Sequence, residues 1–376
     1  MKKFSFVWIV LLVIISSCNK NEHLKQEVVG DNKYASGFTI ETRNDGYDIN
    51  ILSPWMGASE QTFRYVLKRE LGEEEINSID CQTFKIPLKK VAVMSTSHLA
   101  MIEALDHMSA IVGISEKQYV NSQAFWQHQD TCDVIQIGYE NSLDIENLIK
   151  LNPDAVFLYG LSSAVLPTAE QIIRLGIPVV FVSEFNELYP LAKLEWIRFF
   201  GCFFDCLSIA DSIVDSKVEN YQKIKNIVLD VDYKPTVLLG LPWKDHWNIP
   251  GAITTTATYI RDAGATYVFE QLNEKINYSL GIEEVFMSAS QADYWVNVGF
   301  AENLSYIYNI DKRFVNFKAV EQKHVYNNNK IRNKSGGNDY MESGVMYPDM
   351  ILADLISIFH PKLMPNYIPK YYYRLK

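Results

Sequence analysis

The polar residues of this chain form none of the short motifs that mark a catalytic centre. It has neither the G-x-S-x-G turn of a hydrolase nor the H-E-x-x-H pair of a zinc enzyme, and no glycine-rich dinucleotide fingerprint follows the first buried strand. Its seven histidines are scattered, without a His-rich loop that would suit zinc or manganese. A secreted α/β hydrolase stays open as an alternative, because catalytic triads are assembled from distant residues. The pattern favours a binding protein over an enzyme.

Aromatic side chains and one histidine lie where a ligand would be held. In open α/β sheets, ligands bind beyond the carboxyl ends of the strands, and aromatic side chains suit ligands with flat apolar faces. The candidates follow a predicted strand, the leading hairpin or the polar segment after the second strand: Trp55, His98, Tyr119, Trp126, Tyr159, Trp243 and Trp247. Trp243 and Trp247 are preferred because they lie in a proline-flanked loop. For each aromatic residue, packing in the core without ligand contact is the alternative.

The elements that would position these residues alternate between strand and helix. This alternation is typical of a mostly parallel sheet covered on both faces. Predicted strands are Val91–Met94, Ala110–Ile114, Val134–Ile137, Ala155–Tyr159 and Val179–Val182, and predicted helices are Leu99–Leu105, Ile145–Lys150 and Ala169–Leu175. Before them, Gly37–Trp55 alternates around Asn44-Asp45-Gly46, which predicts a β-hairpin.

The pattern of apolar residues then changes to a long segment with helical periodicity, which is followed by a second α/β region. Apolar residues recur from Lys193 to Tyr221 and predict one helix of about 43 Å; two helices with a break near Leu207–Ser208 are the alternative. The second region has predicted strands at Thr236–Leu239, Tyr294–Val298 and Phe314–Ala319 and predicted helices at Thr256–Ala263 and Met350–Phe359. We therefore expect an α/β fold of two Rossmann-like lobes joined by one long α-helix.

The first residues predict export and a lipid anchor. Residues 1–17 begin with Lys2 and Lys3 and continue as an apolar run too short to span a bilayer, which indicates a signal peptide. Ile15-Ser16-Ser17-Cys18 resembles a bacterial lipobox, with Cys18 as the lipidated residue; an ordinary signal peptide is the alternative. Residues 18–36 are predicted to be a tether, so the fold would stand outside the cytoplasm, facing the periplasm and attached to the membrane by the lipid alone.

Composition excludes several other classes. The chain has 376 residues, 48% of them hydrophobic, which argues against a mainly disordered protein. Its formal charge of −10 leaves no excess of Lys or Arg to neutralise phosphates, so we expect no nucleic-acid partner. Five cysteines are too few for a disulfide scaffold. A Cys81–Cys132 disulfide is conceivable in an oxidising compartment, but spacing alone does not support it.

A weak internal repeat links the two α/β regions. "LDIENLIKLNPDAVF" and "LGIEEVFMSASQADYW" match at four positions at a constant offset, and each runs from a short helix into a strand. The repeat places Glu146 and Glu283 at equivalent helix starts, where the helix dipole favours a carboxylate. Two surface carboxylates that merely assist helix starts are the simpler alternative.

At this point the chain resembles the periplasmic binding proteins that serve ABC importers of iron-siderophore complexes, haem and vitamin B12, and more narrowly the lipoprotein members of Bacteroidetes-type bacteria. The resemblance rests on an ordered set of segments, including "VAVMSTSHLAMIEAL", "LDIENLIKLNPDAVFLYG", "WNIPGAITTTATYIRDAGATYVF" and "NDYMESGVMYPDMILADLISIFHP". It implies two α/β lobes joined by a long helix, with the ligand in a cleft between them. It also implies that Glu146 and Glu283 dock onto arginines of the two permease subunits; Glu284 is adjacent, so the second assignment could shift by one residue.

The resemblance implies an iron chelate or corrinoid as ligand, an ABC importer permease dimer as partner, and a monomer with no cofactor or metal of its own. A zinc or manganese receptor of an ABC importer is the alternative within this class. An anionic chelate would need cations, for which Arg43, Lys244 and Arg261 are candidates. His98 could ligate haem or a corrin, or could simply cap its helix. The glycine-rich Asn333–Gly344 follows no phosphate-binding pattern and is predicted as a loop near the cleft.

The same considerations give an expected domain order. It consists of signal peptide 1–17, tether 18–36, an amino-terminal lobe with its leading hairpin at 37–190, a spine helix at 191–230, and a carboxy-terminal lobe with its closing helix at 231–376.

Overall fold

The computed structural model describes residues 32–58, 61–72, 76–139 and 142–376. The predicted signal peptide, Cys18 and most of the predicted tether therefore lie outside the described residues.

The chain begins with a four-stranded sheet, of which the sequence predicted only the first half. The strands are β1 Phe38–Arg43, β2 Gly46–Ile51, β3 Phe63–Lys68 and β4 Cys81–Lys85, in that order across the sheet. The predicted hairpin is confirmed as β1 and β2, which pair antiparallel from Phe38 opposite Ile51 to Arg43 opposite Gly46. A Cβ at Gly46 would lie 1.9 Å from the Leu67 carbonyl oxygen, so this turn requires glycine. Strands β3 and β4 were missed because acidic residues surround them.

The first lobe is the predicted parallel sheet. Its elements are β5 Val91–Val93, α1 Thr96–Ala104, β6 Ile111–Ile114, α2 Gln123–Thr131, β7 Ile135–Gln136, α3 Ile145–Leu151, β8 Ala155–Leu158, α4 Leu166–Arg174 and β9 Val179–Phe181. The strand order is β7-β6-β5-β8-β9, and every neighbouring pair is parallel. The carboxyl ends of the strands therefore share one edge, and the segments that follow β5, β8 and β9 come together there.

Three helices lead from the first lobe to the second: α5 Pro190–Glu195, α6 Ile197–Phe203 and α7 Leu207–Asn226. The prediction of one continuous helix over Lys193–Tyr221 is wrong, and the alternative of a break is closer. Asp205 adopts a left-handed φ of 53°, which a continuing helix cannot accommodate, and Arg69 pairs with its carboxylate at 2.7 Å. A long connecting helix is nevertheless present, because the 20 residues of α7 span about 30 Å.

The second lobe contains a mixed five-stranded sheet and a small antiparallel one. Its elements are β10 Thr236–Leu239, β11 Pro242–Trp243, β12 His246–Pro250, α8 Thr255–Asp262, β13 Thr266–Tyr267, β14 Asn277–Gly281, α9 Ile282–Ala289, β15 Tyr294–Val296, α10 Leu304–Ile310, α11 Lys318–Glu321, β16 Val325–Asn327, α12 Asp339–Glu342, α13 Pro348–Phe359 and β17 Tyr373–Arg374. The large sheet has the order β13-β10-β15-β16-β17, parallel except for β17, and the small one is β11-β12-β14.

One predicted strand of the second lobe is a helix. Residues Phe314–Ala319 form the end of a 3-10 turn, Lys312–Asn316, and the start of α11. The Asp311 side chain accepts a hydrogen bond from the Arg313 backbone N–H and so caps this turn. Phe314 and Phe317 then both point into the core, because residues three apart share one face of a helix.

Candidate functional site

A cavity of about 460 Å³ lies between the two lobes. On the first-lobe side it is lined by the start of α1 and by the segments that follow β8 and β9, namely Ser95–Ser97, Tyr159, Leu161, Glu184 and Phe185. The lining from α5 and the second lobe consists of Pro190, Lys193, Thr255, Thr256, Tyr259, Tyr340, Met341, Gly344, Val345 and Ile351. The cleft expected between the lobes is therefore present, at the carboxyl edge of the first-lobe sheet.

Two helix starts, one from each lobe, face this cavity. The Ser95 side chain accepts the Ser97 N–H at the start of α1, and the Thr254 side chain accepts the Ala257 N–H at the start of α8. These caps leave other first-turn N–H groups without a partner inside their own helix. The N-termini of α1 and α8, each with a partial positive charge from its helix dipole, therefore both lie at the cavity wall.

A buried polar chain forms the floor of the cavity. The Ser97 hydroxyl donates to Glu184 Oε1 at 2.5 Å, and Glu184 Oε2 lies 3.6 Å from His98 Nε2. Burial opposes ionisation of Glu184, but His98 and the Ser97 hydroxyl outweigh it and hold the pKa of this carboxyl below its usual value. Glu184 is therefore a carboxylate at neutral pH, with Oε1 bonded to Ser97 and Oε2 buried without a hydrogen bond to any described residue.

Among the described residues that line this cavity, Lys193 is the one Lys or Arg. It also lines a smaller recess of about 150 Å³, together with Phe185, Thr255 and Thr256. Burial lowers the pKa of its ammonium group, and the attraction of Glu184 and Glu187 compensates only in part.

The remaining walls are aromatic and aliphatic. Tyr159 and Phe185 meet edge to face, with ring centroids 6.4 Å apart. Enclosure raises the pKa of the Tyr340 phenol to about 12, so this group is uncharged at physiological pH, and it is hydrogen-bonded to Tyr372 and Asn328. Leu161 and Met341 stand 61% and 67% exposed at the rim. The arrangement suits a ligand with apolar faces and a few polar edges.

The structure brings only one of the eight predicted ligand-binding residues, Tyr159, to the cavity wall. Trp55 and Trp247 are instead core residues. Trp55 packs against Phe63 and Phe181, and the fully buried Trp247 donates its indole N–H to the Leu239 carbonyl. Neither ring can meet a ligand in this conformation, because the apolar interior of its lobe covers it.

The other predicted residues lie away from the cavity wall for different reasons. Trp126 donates its indole N–H to the Val120 carbonyl on the outside of the first lobe. Trp243 is 74% exposed at the tip of a hairpin. Arg261 binds the Ala252 carbonyl and Glu270 within the second lobe. Of the two further candidate cations, Arg43 pairs with Asp48 in the leading hairpin, and Lys244 lies in the β11–β12 turn.

His98 lies behind the floor of the cavity. Its side chain is fully buried, and Glu184 separates it from the open space. In this conformation the imidazole cannot ligate a haem or a corrin in the cleft. Its role is electrostatic, since it favours the ionised form of Glu184.

Tyr119 belongs to a contact between the lobes. A Cβ at Gly337 of the second lobe would lie 2.0 Å from the Tyr119 carbonyl oxygen, so the two segments touch along their backbones. The Asn333 amide donates to the Gln118 and Val120 carbonyls. The Glu342 carboxylate accepts the Asn121 and Ser122 N–H groups at 2.8 and 2.7 Å. These contacts close one side of the cleft.

The residues that sequence analysis missed come mostly from two segments. Glu184 and Phe185 come soon after β9, so the rule that found Tyr159 after β8 could also have found them, whereas Lys193 lies further along the chain on α5. Tyr340 and Met341 belong to the glycine-rich stretch that was predicted near the cleft. Part of this stretch is helix α12 rather than a loop.

The two predicted docking glutamates both lie on the surface, in different surroundings. Glu146 is exposed in the first turn of α3 and forms no ion pair with any described residue. Glu283 is exposed in the first turn of α9, and both of its oxygens accept from Arg313, at 2.8 and 3.0 Å. The neighbouring Glu284 is exposed and has no ion pair within the described part of the chain.

Comparison with known proteins agrees with this architecture. A model of the periplasmic binding protein family matches residues 91–330. The chain belongs to this family. Its members are extracytoplasmic, non-catalytic substrate-binding components of ABC importers, which confirms the expectation of a binding protein rather than an enzyme.

Individual relatives are distant. An uncharacterized lipoprotein of Methanocaldococcus jannaschii is 24% identical over 298 residues, which are 75% of this chain and 67% of the relative. A Staphylococcus epidermidis protein described as a possible iron-binding, periplasmic solute-binding protein has a TM-score of 0.59 at 19% identity, covering 73% of this chain and 99% of that one. A periplasmic haem-binding protein of Pseudomonas aeruginosa has a TM-score of 0.57 at 16% identity, covering 77% and 98%. At these identities, the two solved structures confirm only the predicted fold of two lobes with a connecting helix.

Three further findings concern the described residues alone. No helix among them is both long and apolar enough to cross a membrane. No three of their His, Cys, Asp or Glu side chains come together as a metal site. Cys81 and Cys132, like Cys202 and Cys206, are free thiols, so the conceivable Cys81–Cys132 disulfide is not formed.

Proposed function

We propose that this protein binds an iron chelate, a haem or a corrinoid and delivers it to an ABC importer. The observation that carries the proposal is the interlobe cavity of about 460 Å³, walled by Tyr159, Phe185, Tyr259 and Tyr340, with Lys193 as the one cation among the described residues that line it. Cavities of roughly 300–1,000 Å³ hold organic ligands of moderate size. Rigid aromatic walls match the flat faces of a macrocycle or an aromatic chelate.

A bare zinc or manganese ion is the weaker candidate. Such ions prefer clustered imidazole and carboxylate ligands. Here Glu184 is the one carboxylate among the described residues that line the cavity, its Oε1 accepts from Ser97, and no described His, Cys, Asp or Glu side chains cluster around it as a metal site. The solved structures described as iron-binding and haem-binding, although only similar in fold, support the larger ligand.

A thermal-shift screen tests the proposal. The panel contains haem, cobalamin, ferric catecholate and hydroxamate siderophores, ferric citrate, Zn²⁺ and Mn²⁺. A ligand present at 100 times its Kd adds about 2.7 kcal/mol to the free energy of unfolding, enough to raise Tm visibly. We expect one class of chelate or corrinoid to raise Tm. Stabilisation by Zn²⁺ or Mn²⁺ alone would favour the metal receptor.

The attachment to the membrane is part of the same proposal. Lipidation of Cys18 after removal of residues 1–17, with residues 18–36 as tether, would hold the binding protein near its permease. A relative described as a lipoprotein supports this arrangement. The narrower likeness to Bacteroidetes-type lipoproteins, the monomeric state and the domain boundaries at 37–190, 191–230 and 231–376 stay predictions.

We also propose that one glutamate of each lobe docks onto the permease. Surface ion pairs contribute little affinity, but one at each end would fix the orientation of docking and speed encounter. Glu146 is available for this. In the second lobe Glu283 is held by Arg313, so either a permease arginine shares this pair or the unpaired Glu284 is the docking residue.

Alanine substitutions separate these roles. The E146A/E283A double variant is expected to lower uptake of the ligand severalfold in cells while leaving its affinity unchanged, because both carboxylates lie outside the cleft. E146A/E284A shows which of the neighbouring residues docks. E170A/E219A is the matched control, since both residues are exposed glutamates with a partner on their own helix. Equal loss of affinity and uptake, or loss of uptake in the control, would contradict docking by these residues.

A further inference from the structure

The ammonium group of Lys193 has no partner among the residues that the structure describes. Lys193 stands on α5 where the large cavity and the smaller recess meet, and it lines both. Within the described part of the chain, no hydrogen bond or salt bridge is formed by its Nζ, and Glu184 and Glu187 act on its charge from a longer distance. An ammonium group has three N–H donors. The side chain that carries these donors is part of the wall of both spaces.

The two carboxylates that attract Lys193 both contact other groups. Glu184 accepts from the Ser97 hydroxyl through Oε1, and its Oε2 is buried 3.6 Å from His98 Nε2 without a hydrogen bond to any described residue. Glu187 accepts the Ser36 and Gly37 N–H groups and the Trp196 indole N–H, and so fastens the beginning of the described chain to α5 and α6. These carboxylates attract Lys193 at a distance, but they do not neutralise it by contact.

The surroundings of Lys193 disfavour its charge. Burial lowers the pKa of the ammonium group despite the two carboxylates. Removing a charged group from water costs free energy unless a partner compensates for it. A neutral or cationic ligand filling the cleft would remove the remaining water and increase this cost. An anionic group would supply the missing partner.

The N-terminus of α8 provides a second positive charge near Lys193, because it lines the same cavity and recess. Thr255 and Thr256, the first two residues of α8, line both the cavity and the recess. The first N–H groups of a helix lack intrahelical acceptors, and the start of a helix carries a partial positive charge. The Thr255 hydroxyl donates to the Glu187 carbonyl, which holds the start of α8 against the segment before α5.

We propose that Lys193 is the anchor for an anionic group of the ligand, a carboxylate or phosphate on the edge of an otherwise apolar molecule. The proposal rests on the function proposed above and adds a requirement to it. The anion sits at the junction of cavity and recess, between Lys193 and the start of α8. The apolar body lies against Tyr159, Phe185 and Tyr340. The ligand class is therefore an amphipathic acid, not a neutral or cationic chelate.

Two substitutions of Lys193 and a pair of porphyrins test the anchor. K193M keeps the length of the side chain and removes its charge, and K193R keeps the charge. K334M removes an exposed lysine from a separate surface recess and is the matched control. The probes are ferric protoporphyrin IX, with two free carboxylates, and its dimethyl ester, with none. The measurements are Kd by titration and Tm of the ligand-free proteins.

We expect K193M to bind ferric protoporphyrin IX at least tenfold more weakly than wild type, and K193R and K334M to bind it within about threefold of wild type. The dimethyl ester is expected to bind wild type and K193M equally. Ligand-free K193M is expected to melt no lower than wild type, because an uncompensated charge has been removed. A lower Tm of K193M together with unchanged porphyrin affinity would assign Lys193 a structural role and overturn the proposal.

The anchor can also be tested separately from the proposed ligand. If wild type binds neither porphyrin, the haem form of the proposed function fails, and citrate and pyrophosphate then decide the role of Lys193. At constant ionic strength these anions are expected to raise the Tm of wild type, K193R and K334M, and to leave K193M unchanged. An equal response of wild type and K193M overturns the anchor whatever the ligand is.

Discussion

At the scale of single residues, the cleft consists of side chains whose neighbours leave one face open. Phe185 shows this best. It follows β9, contacts Tyr159 edge to face on one side, and lines both the cavity and the recess on the other. By contrast, Trp55 and Trp247 are larger aromatic residues in equally suggestive sequence positions, but their rings are enclosed by their own lobes.

The F185A variant is expected to weaken binding of the ligand identified by the screen roughly tenfold, because an aromatic face and its contact area are lost. W243A is the matched control, since Trp243 is a highly exposed aromatic residue outside the cleft. Isothermal titration measures both. Equal affinities of F185A and wild type would place the ligand elsewhere.

Sequence reasoning at this scale found the edge of the sheet where the cavity lies, but only one of the side chains that line it. The expectation of a site beyond the carboxyl ends of the strands led to this edge, because Tyr159, Glu184 and Phe185 all follow first-lobe strands. The rule cannot tell which side chain turns into the cleft. His98 illustrates the limit: it lies one turn into α1 and points behind Glu184, a direction that depends on packing between α1 and α6.

At the scale of elements, the edge strand β9 depends on side chains of the leading sheet. The Gln82 amide donates to the Val179 carbonyl at 2.7 Å and accepts the Val179 N–H at 2.9 Å. The Tyr65 hydroxyl accepts the Phe181 N–H at 2.8 Å. These bonds take the place of a neighbouring strand along the buried edge of the sheet. They also fix the strand that leads directly into Glu184 and Phe185.

The Q82L variant leaves both backbone groups of Val179 unpaired in the interior. Each buried polar group without a partner costs about 1–3 kcal/mol, so the free energy of unfolding should fall by roughly 2–4 kcal/mol. Urea denaturation measures this. Q127L, a change at an exposed position of α2, should leave stability within about 0.5 kcal/mol of wild type. A similar small effect of Q82L would mean that water replaces the glutamine.

Elements with strong periodicity could be predicted, and short or irregular ones could not. The first-lobe strands and α13 appear where the pattern placed them, because buried parallel strands and an apolar helix leave clear signals. Strand β4 was missed because acidic residues precede it and its buried Gln82 is polar. The break at Asp205 was not located, because a left-handed residue between two helices leaves the apolar period nearly intact.

At the scale of the whole molecule, the contact between the lobes includes the Glu342 carboxylate, whose pKa lies near neutral pH. Glu342 is 2% exposed and accepts two N–H groups of the first lobe. Burial raises the pKa of this carboxyl to about 7, although the two hydrogen bonds act in the opposite direction. Glu103, Asp339 and Lys370 line the same interlobe space. The Glu342 carboxyl group in the contact between the lobes therefore changes from protonated to ionised as the pH rises through about 7.

The sign of the pH dependence follows from linkage. Because the folded-state pKa of Glu342 lies above the unfolded value, its contribution to stability is full below about pH 4.5 and is lost as pH rises through about 7. The loss is up to about 3 kcal/mol, at about 1.36 kcal/mol per pKa unit. E342Q cannot ionise, so its free energy of unfolding should fall less than that of wild type between pH 5 and pH 8. Parallel pH profiles for the two proteins would contradict this assignment.

Hydrogen–deuterium exchange with and without the ligand found by the screen tests the central claim most directly. If a bulky molecule occupies the space between the lobes, protection should increase together at residues 95–101, 184–193, 254–260 and 340–346, which come from both lobes and α5. The surface recess around Lys330 and Lys334 serves as an internal reference and should not change. Protection confined to one lobe, or centred on that recess, would contradict the account.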